Sequence, residues 1–281
     1  MEITIPLVAG LAGLSLKIGA PAVEAKGYPS RRLQKGLILF EGAQELAEEG
    51  VGFGVPVLKR GIQTIFPGDV EVASQRRGPV WEATAVFRMN LEERIAVPGQ
   101  GSLSSRRLHG MKNSLAALHR RVPQVRGLLT AASSALRWMF GWETTYEEAD
   151  FDGSVKVIYA VHAEAGRVVI EVDTAGVPRD RISEVVVMNE QGARRFDRYR
   201  DSGGTCLQGD EIGTWDEVVA AEACFVSEAH GVAFTLGQVP GARLFRGREM
   251  VGARLAWAGF GYSFAPITER FSYVVRIEKD P

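Results

Sequence analysis

The sequence predicts a mainly β protein, built as a large antiparallel sandwich, from three observations. Short runs of alternating apolar and polar residues recur along most of the chain. Most of these runs follow one another with no helical pattern between them, which favours antiparallel pairing over a parallel α/β sheet. The 281 residues include 32 glycines, as expected of a chain with many tight turns. We therefore expect a single β-rich domain over residues 1–281, with a barrel as the second choice of architecture.

The N-terminal residues predict a β-hairpin. The runs EITIP and LSLKI both alternate like strands. An A-x-A-like pattern at Val23–Ala25 imitates a signal-peptide cleavage site, but no positive charge precedes the apolar run and Lys17 interrupts it. We therefore expect this segment to be structural.

The clearest strand covers residues 80–90. Its odd-numbered residues from Trp81 to Met89 share an apolar face, whereas Glu82, Thr84 and Arg88 lie on the other face. Similar runs at 154–173 and 271–278 are also expected to be antiparallel strands. Hairpin turns are expected at Asp152-Gly153 and Ala165-Gly166.

Residues 104–140 interrupt the β pattern. Leu108, Met111, Leu115 and Leu118 recur at helical spacing, and Pro123 is well placed to open a second amphipathic helix. The pattern predicts a two-helix hairpin inserted between β regions.

The composition excludes several classes of function. Lys and Arg number 33 against 34 Asp and Glu, so the net charge of −1 gives no global attraction to nucleic acid or anionic membrane. No apolar run approaches the roughly 20 residues of a transmembrane helix. Two cysteines without C-x-x-C spacing and four scattered histidines predict no metal site, no cofactor and a reducing, cytoplasmic compartment. The sequence does not indicate an oligomeric state.

The glycine-rich stretch EEGVGFGVPVLKRG, residues 48–61, predicts close packing rather than phosphate binding. It does not complete the G-x-G-x-x-G pattern, and a β-like run follows it instead of a helix. Gly50, Gly52 and Gly54 are two residues apart, so one strand face would be open to another backbone or a bulky aromatic ring. The stretch GTCLQGD, residues 204–210, has P-loop glycine spacing, but Asp210 stands where a lysine is needed. Both stretches are interpreted as turns or bulges.

Glu228 and His230 are the candidate catalytic residues. They are two apart at the end of a predicted strand, so both could face one side, and a carboxylate beside an imidazole suits acid–base chemistry. A surface pair at a turn explains the same pattern.

Arginines and aromatic residues provide the candidate ligand-binding side chains. The run ARRFDRYR predicts a strand whose faces carry Arg198 on one side and Tyr199 on the other, and LFRGREMVG places Arg246 and Arg248 on one face. Arginine forks bind carboxylates and phosphates, and aromatic rings in a concave sheet suit sugars. The following aromatic run adds Trp257 and Tyr262 to this set. A charged edge strand and an ordinary core would account for the same residues.

Two functions remain open on these observations. The first is the binding or processing of a small acidic or carbohydrate-like ligand by these arginines and aromatic residues. The second is a non-enzymatic interaction protein, because residues 94–142 carry eight Lys and Arg and no acid. That basic segment would bind an anionic surface or an acidic partner, unless it packs on the protein's own acidic runs, ELAEE and ETTYEEADFD.

Overall fold

A computed structural model describes the following residues of the chain: 3–18, 23–24, 32–61, 63–97, 101–103, 143–251 and 255–280. The helical hairpin expected over 104–140 lies outside these ranges. Within them, the helices are short 3-10 turns of three or four residues, at Ala9–Leu11, Ala163–Ala165, Gly209–Ile212 and Glu228–His230. None of these described helices is long and apolar enough to cross a membrane.

Strands dominate the described residues. They are β1 (Ile3–Pro6), β2 (Leu14–Ile18), β3 (Val23–Glu24), β4 (Arg32–Leu33), β5 (Ile38–Glu41), β6 (Gln44–Glu45), β7 (Gly52–Arg60), β8 (Gln63–Arg77), β9 (Val80–Val97), β10 (Gly101–Leu103), β11 (Glu143–Glu148), β12 (Ser154–His162), β13 (Arg167–Asp173), β14 (Glu184–Gly192), β15 (Arg198–Asp201), β16 (Cys206–Gln208), β17 (Thr214–Glu217), β18 (Glu222–Ser227), β19 (Val232–Gly237), β20 (Arg243–Val251), β21 (Leu255–Phe264) and β22 (Arg270–Lys279).

A 16-stranded antiparallel sheet forms most of the molecule. Its strand order is β16-β15-β18-β19-β22-β13-β12-β9-β8-β7-β14-β21-β20-β17, and β10 and β11 pair with β9. The expected strands at 80–90, 154–173 and 271–278 are confirmed, as is the turn at Ala165-Gly166, which joins β12 to β13. The hairpin turn expected at Asp152-Gly153 is wrong, because in the described residues β11 and β12 both pair with β9 instead of with each other. Because this path has two separate ends in the described residues, the second choice of a barrel is wrong.

The sheet bends back on itself through β9 and β8, so that its two halves face each other. We call β12, β13, β22, β19, β18, β15 and β16 layer A, and β7, β14, β21, β20 and β17 layer B. Aromatic rings from the two layers meet in the core: Phe234 contacts Phe53 at 5.3 Å, and Phe225 contacts Phe260 at 4.8 Å between ring centroids. Such edge-to-face contacts are favourable beyond the area they bury.

Three tyrosines add hydrogen bonds to this apolar core. Tyr159 of layer A donates to the carbonyl oxygens of Phe53 and Gly54, at 3.1 and 3.3 Å. Tyr273 donates to Asn189 Oδ1 at 2.7 Å, and Tyr262 donates to the carbonyl of Gly237. Burial raises the pKa of all three phenols, so they remain protonated donors.

The glycines of residues 50–54 allow this close approach, as the sequence predicts. Gly52 and Gly54 have φ angles of +81° and +79°. A Cβ on Gly54 would lie 2.9 Å from the Tyr159 ring, and a Cβ on Gly52 would lie 2.7 Å from the carbonyl oxygen of Leu37. The stretch therefore allows a bulky aromatic ring and a neighbouring backbone segment to pack closely against it, which confirms the prediction.

The N-terminal hairpin is also confirmed. Strands β1 and β2 pair antiparallel and continue through β5 and β6 as a separate four-stranded sheet. The buried residues Ile5, Leu16 and Leu39 of this sheet belong to the same apolar cluster as the sandwich core. The hairpin is therefore an integral part of the packed structure.

The strand predicted for ARRFDRYR is wrong in its first half. Residues 193–197 form a turn, in which the amides of Arg195 and Phe196 both donate to the carbonyl of Gly192. The turn places the Phe196 ring 5.2 Å from that of Phe234, so the core contact of one aromatic residue outweighs the local alternation. Only Arg198–Asp201 is a strand.

Residues 206–217 link the two ends of the large sheet. Strand β16 belongs to layer A and β17 to layer B, and the turn Gly209–Ile212 joins them. Arg246 Nε donates to the carbonyl of Ile212 at 3.2 Å. Arg248 donates through Nε and Nη2 to the carbonyl of Ala193, at 3.3 and 3.1 Å, and its Nη1 lies 3.2 Å from Asp210. Both arginines therefore hold the protein's own backbone.

Replacement of Gly54 by alanine should destabilise the protein strongly. The added Cβ would clash with Tyr159 at a backbone angle that L residues avoid, and together these effects should cost about 2–4 kcal/mol. Gly78 is the matched control: it also has a positive φ, but a Cβ there would meet nothing within 4 Å. Chemical denaturation should show a much larger loss for Gly54→Ala than for Gly78→Ala, and equal losses would contradict this packing role.

Replacement of Arg248 by methionine should lower the free energy of unfolding by about 1–3 kcal/mol, because two charge-assisted hydrogen bonds to a buried turn are lost. The Asp210 side chain is fully exposed, so Asp210→Asn should change stability by less than about 0.5 kcal/mol. Urea titrations of both variants check the comparison. A neutral effect of Arg248→Met would show that the arginine does not anchor the turn.

Candidate functional site

The predicted ligand-binding residues lie in three different environments in the structure. Tyr199, Tyr262 and Arg246 lie between the layers, where the Arg246 guanidinium stacks on the Tyr199 ring at 4.7 Å. Arg198, which neighbours the inward-facing Tyr199 on β15, lies on the outer face of layer A. Trp257 pairs with Glu249 and Gly192 on the outer face of layer B. These residues therefore do not share one sheet face.

Glu228 and His230 have separate partners. Both belong to the short turn between β18 and β19, but Glu228 forms an ion pair with Arg198. His230 places Nδ1 2.5 Å from Glu41 and Nε2 3.4 Å from Arg195 Nη1. The two side chains are thus near one another in sequence but joined to different elements, and their catalytic role stays a prediction.

The acidic run ELAEE pairs with cations from other parts of the described chain. Glu45 binds Lys35, Glu48 binds Arg194 and Arg195, and Glu49 binds Arg194. Burial of Lys35 lowers its pKa, although Glu45 offsets part of this effect. Together with the contact of His230 to Glu41, the pairs of Glu48 and Glu49 with Arg194 and Arg195 join the N-terminal region to the sandwich. This run therefore has partners other than the basic segment that was expected to pack on it.

The most unusual local structure lies on the outer face of layer B. Residues directly opposite each other in an antiparallel sheet point to the same side, so the strand register defines the rows of this face. Successive rows are listed from one end of β20 to the other: Val186, Ser263 and Arg243; Met188, Gly261 and Phe245; Glu190, Gly259 and Gly247; Gly192, Trp257 and Glu249.

Glycines make a depression in the middle of this face. Gly247, Gly259 and Gly261 have no side chains to fill the two central rows, which otherwise contain Met188, Phe245 and Glu190. Two indoles occupy it: Trp215 Cζ3 lies 2.5 Å from the position of a Cβ on Gly261, and Trp257 Cη2 lies 2.7 Å from that of Gly247. The rings of Trp215 and Trp257 are 5.3 Å apart and inclined by 32°.

Trp215 is held in a strained backbone conformation. Its φ angle is +61°, a region that bulky L residues rarely adopt. It is the extra residue of a β-bulge in edge strand β17, between Thr214 and Asp216, where the register against β20 shifts. Its side chain remains half-buried instead of entering the core. Strain of this kind persists where the surrounding structure imposes it, and it concentrates at functional sites.

Charged side chains lie at both ends of this face, and Glu190 lies in a central row. Arg243 is exposed, and its guanidinium stacks on the Phe245 ring at 5.1 Å. In the part of the chain that the structure describes, no carboxylate pairs with Arg243. At the other end, Glu249 lies opposite Trp257 and provides a carboxylate. The face thus has a cation at one end and an acid at the other, with aromatic rings, glycines and Glu190 between them.

The sequence contained a signal for this face that our reading missed. Gly259 and Gly261 are two residues apart on β21, which is the same spacing that predicted the close packing at Gly50, Gly52 and Gly54. Applied here, that spacing would have predicted a bulky ring over β21. It would not have identified Trp215, because the bulge that presents this ring depends on pairing with β20.

The described residues give little support to a metal site, a cysteine-based site or a ligand cleft. They contain no group of three or more His, Cys, Asp or Glu that could hold a metal ion. Both cysteines are free thiols. A cleft of about 290 Å³ opens between the residue 8–11 turn and the end of β22, but none of the predicted site residues lines it.

Comparisons with known proteins show the fold alone. No family model matches the sequence, and no curated protein matches it significantly. Among solved structures, the chain is similar to the α-N-acetylgalactosaminidase NagBb from Bifidobacterium bifidum in complex with GalNAc, with 11% identity and a TM-score of 0.51. The same enzyme in complex with Gal-NHAc-DNJ gives 11% identity and a TM-score of 0.50.

These matches cover all of this chain but only 36% of NagBb, so the chain spans about a third of that enzyme's length. A GH36 α-galactosidase, AgaA, from Geobacillus stearothermophilus, in complex with stachyose, aligns at 9% identity over 99% of this chain and 41% of its own. Its TM-score of 0.39 is too low to carry an argument. The fold is that of a large β-sandwich found in a carbohydrate-active enzyme.

Proposed function

We propose that this protein binds a carbohydrate on the outer face of layer B, with the Trp215 indole as the stacking surface. The observation that carries the proposal is the strained, half-buried Trp215 above the glycine depression. A ring in this position costs backbone strain of about 1–3 kcal/mol and gains less burial than a core residue would. The binding of a ligand to the ring would account for this strain.

The chemistry of the face suits a sugar. A pyranose has an apolar face of C–H groups that packs on an aromatic ring, and hydroxyl groups around its rim that need hydrogen-bond partners. Trp215 supplies the ring, and Trp257 supports it from one side. The carboxylate of Glu249 and the guanidinium of Arg243 are polar groups on the same face as this ring.

The similarity to NagBb supports a carbohydrate ligand at the level of fold only. The proposal concerns binding and not hydrolysis, because Glu228 and His230 lie at a turn of layer A with separate partners. It also differs from the prediction based on Arg198, Arg246 and Arg248, since those arginines are engaged by the protein's own carboxylates and carbonyls.

Replacement of Trp215 by glycine should weaken sugar binding and leave the protein folded. Glycine adopts the required φ without strain, so the backbone of the bulge should persist while the ring is removed. A glycan array would identify a ligand for the wild-type protein, and isothermal titration calorimetry would measure its affinity. Loss of an aromatic contact should weaken binding by roughly 2–10-fold or more.

Trp81 provides the matched control. It is a half-buried tryptophan on β9 that contacts Arg76, away from the proposed face. Trp81→Ala should leave the affinity unchanged, and Trp215→Tyr should retain part of it. If no glycan binds the wild-type protein, or if Trp215→Gly binds as well as wild type, the proposal is refuted. Circular dichroism checks that each variant is folded.

A further inference from the structure

We infer that the preferred ligand is an acidic sugar, a pyranoside whose ring carries a carboxylate. This inference rests on the proposed function and specifies its substrate class. It depends on Arg243, which the sequence reasoning did not select. The predicted anion-binding residues Arg198, Arg246 and Arg248 are each satisfied within the protein, whereas Arg243 contacts Phe245 and no carboxylate of the described chain.

Arg243 is an exposed cation beside an aromatic ring. Its guanidinium carbon lies 5.1 Å from the centroid of the Phe245 ring, and the residue is exposed to solvent. A guanidinium fork matches the two oxygens of a carboxylate with two parallel hydrogen bonds. Arginine is also weakly hydrated compared with lysine, so it gives up water readily on binding.

The distance from the stacking ring to Arg243 suits a substituent on a stacked sugar. The Trp215 ring lies over Gly261, which is in the row of Phe245, and Arg243 is in the next row. Adjacent rows on one strand face are about 6.6–6.8 Å apart, which is comparable to the width of a pyranose ring. A sugar stacked on Trp215 would therefore place an exocyclic carboxylate within reach of Arg243.

The acidic residues of the face fix the orientation of such a ligand. Glu249 lies at the opposite end of β20, Glu217 lies opposite Phe245 on the edge strand β17, and the buried Glu190 lies opposite Gly259. A ligand carboxylate near any of these residues would be repelled. The ligand acid should thus point towards Arg243 and away from Glu249.

The test compares matched acidic and neutral sugars on the full chain. Methyl galacturonoside and methyl glucuronoside are titrated against methyl galactoside and methyl glucoside by calorimetry, at an ionic strength of about 0.01 M, where charges are weakly screened. We expect wild-type protein to bind a uronoside about ten-fold more tightly than its neutral counterpart. Arg243→Gln should remove this preference, so that the acidic and the neutral sugar bind with the same affinity.

Arg243→Lys should keep only part of the preference, because an ammonium is a point charge without the bidentate fork. Arg77, an exposed arginine at the far end of β8, is the control, and Arg77→Gln should behave like wild type. Equal binding of acidic and neutral sugars, or a preference that survives Arg243→Gln, overturns the inference. Tighter binding of a sulfated galactoside than of the uronoside also overturns it, because the inference specifies a carboxylate.

Failure of this inference is distinguishable from failure of the proposed function. If neutral and acidic sugars bind equally and Trp215→Gly weakens the binding of both, the carbohydrate site stands and the acidic class is wrong. If neither sugar class binds the wild-type protein, both proposals are refuted.

Discussion

The contact between Tyr159 and the backbone of Phe53 and Gly54 is the constraint on which the sandwich depends. A buried phenol must find hydrogen-bond partners, and here it finds them in two carbonyl oxygens of the opposite layer. The tyrosine reaches these carbonyls only because Gly54 has no side chain. Around this point the layers are close enough for Phe234 and Phe260 to meet edge to face, and the rest of the core is built outward from that spacing.

Local patterns in the sequence predict much of the fold. Alternation along residues 80–90 predicts a strand with one dry face, and Ala83, Ala85, Phe87 and Met89 are indeed buried. Such patterns depend only on the pleat of a single strand. They cannot predict that β9 and β8 carry the chain from one layer to the other, because this depends on pairing between distant segments. The turn at residues 193–197 shows the limit, since a single core contact of Phe196 overrides the alternation there.

Side-chain chemistry was less predictable than strand positions. Arg246 and Arg248 have the residue type and spacing of an anion site, but their partners are the carbonyls of Ile212 and Ala193. Whether an arginine binds a ligand or its own backbone depends on which loop lies within reach, and strand periodicity contains no such information. Arg243 illustrates the converse case, because its separation from the carboxylates of the described residues is visible only in three dimensions.

The bulge at Trp215 also affects how the molecule avoids unwanted association. A sheet with two ends offers unpaired backbone groups to any passing strand, and natural proteins limit this hazard with short or irregular edges. The end strands here, Cys206–Gln208 and Thr214–Glu217, have only three and four residues, and the second is interrupted by the bulge. The residue that presents the indole therefore also breaks the regular row of amides and carbonyls at the sheet margin. A substitution that removed the bulge would lengthen the regular, exposed edge of the sheet. Other molecules of this protein could then pair with that edge and form fibre-like assemblies.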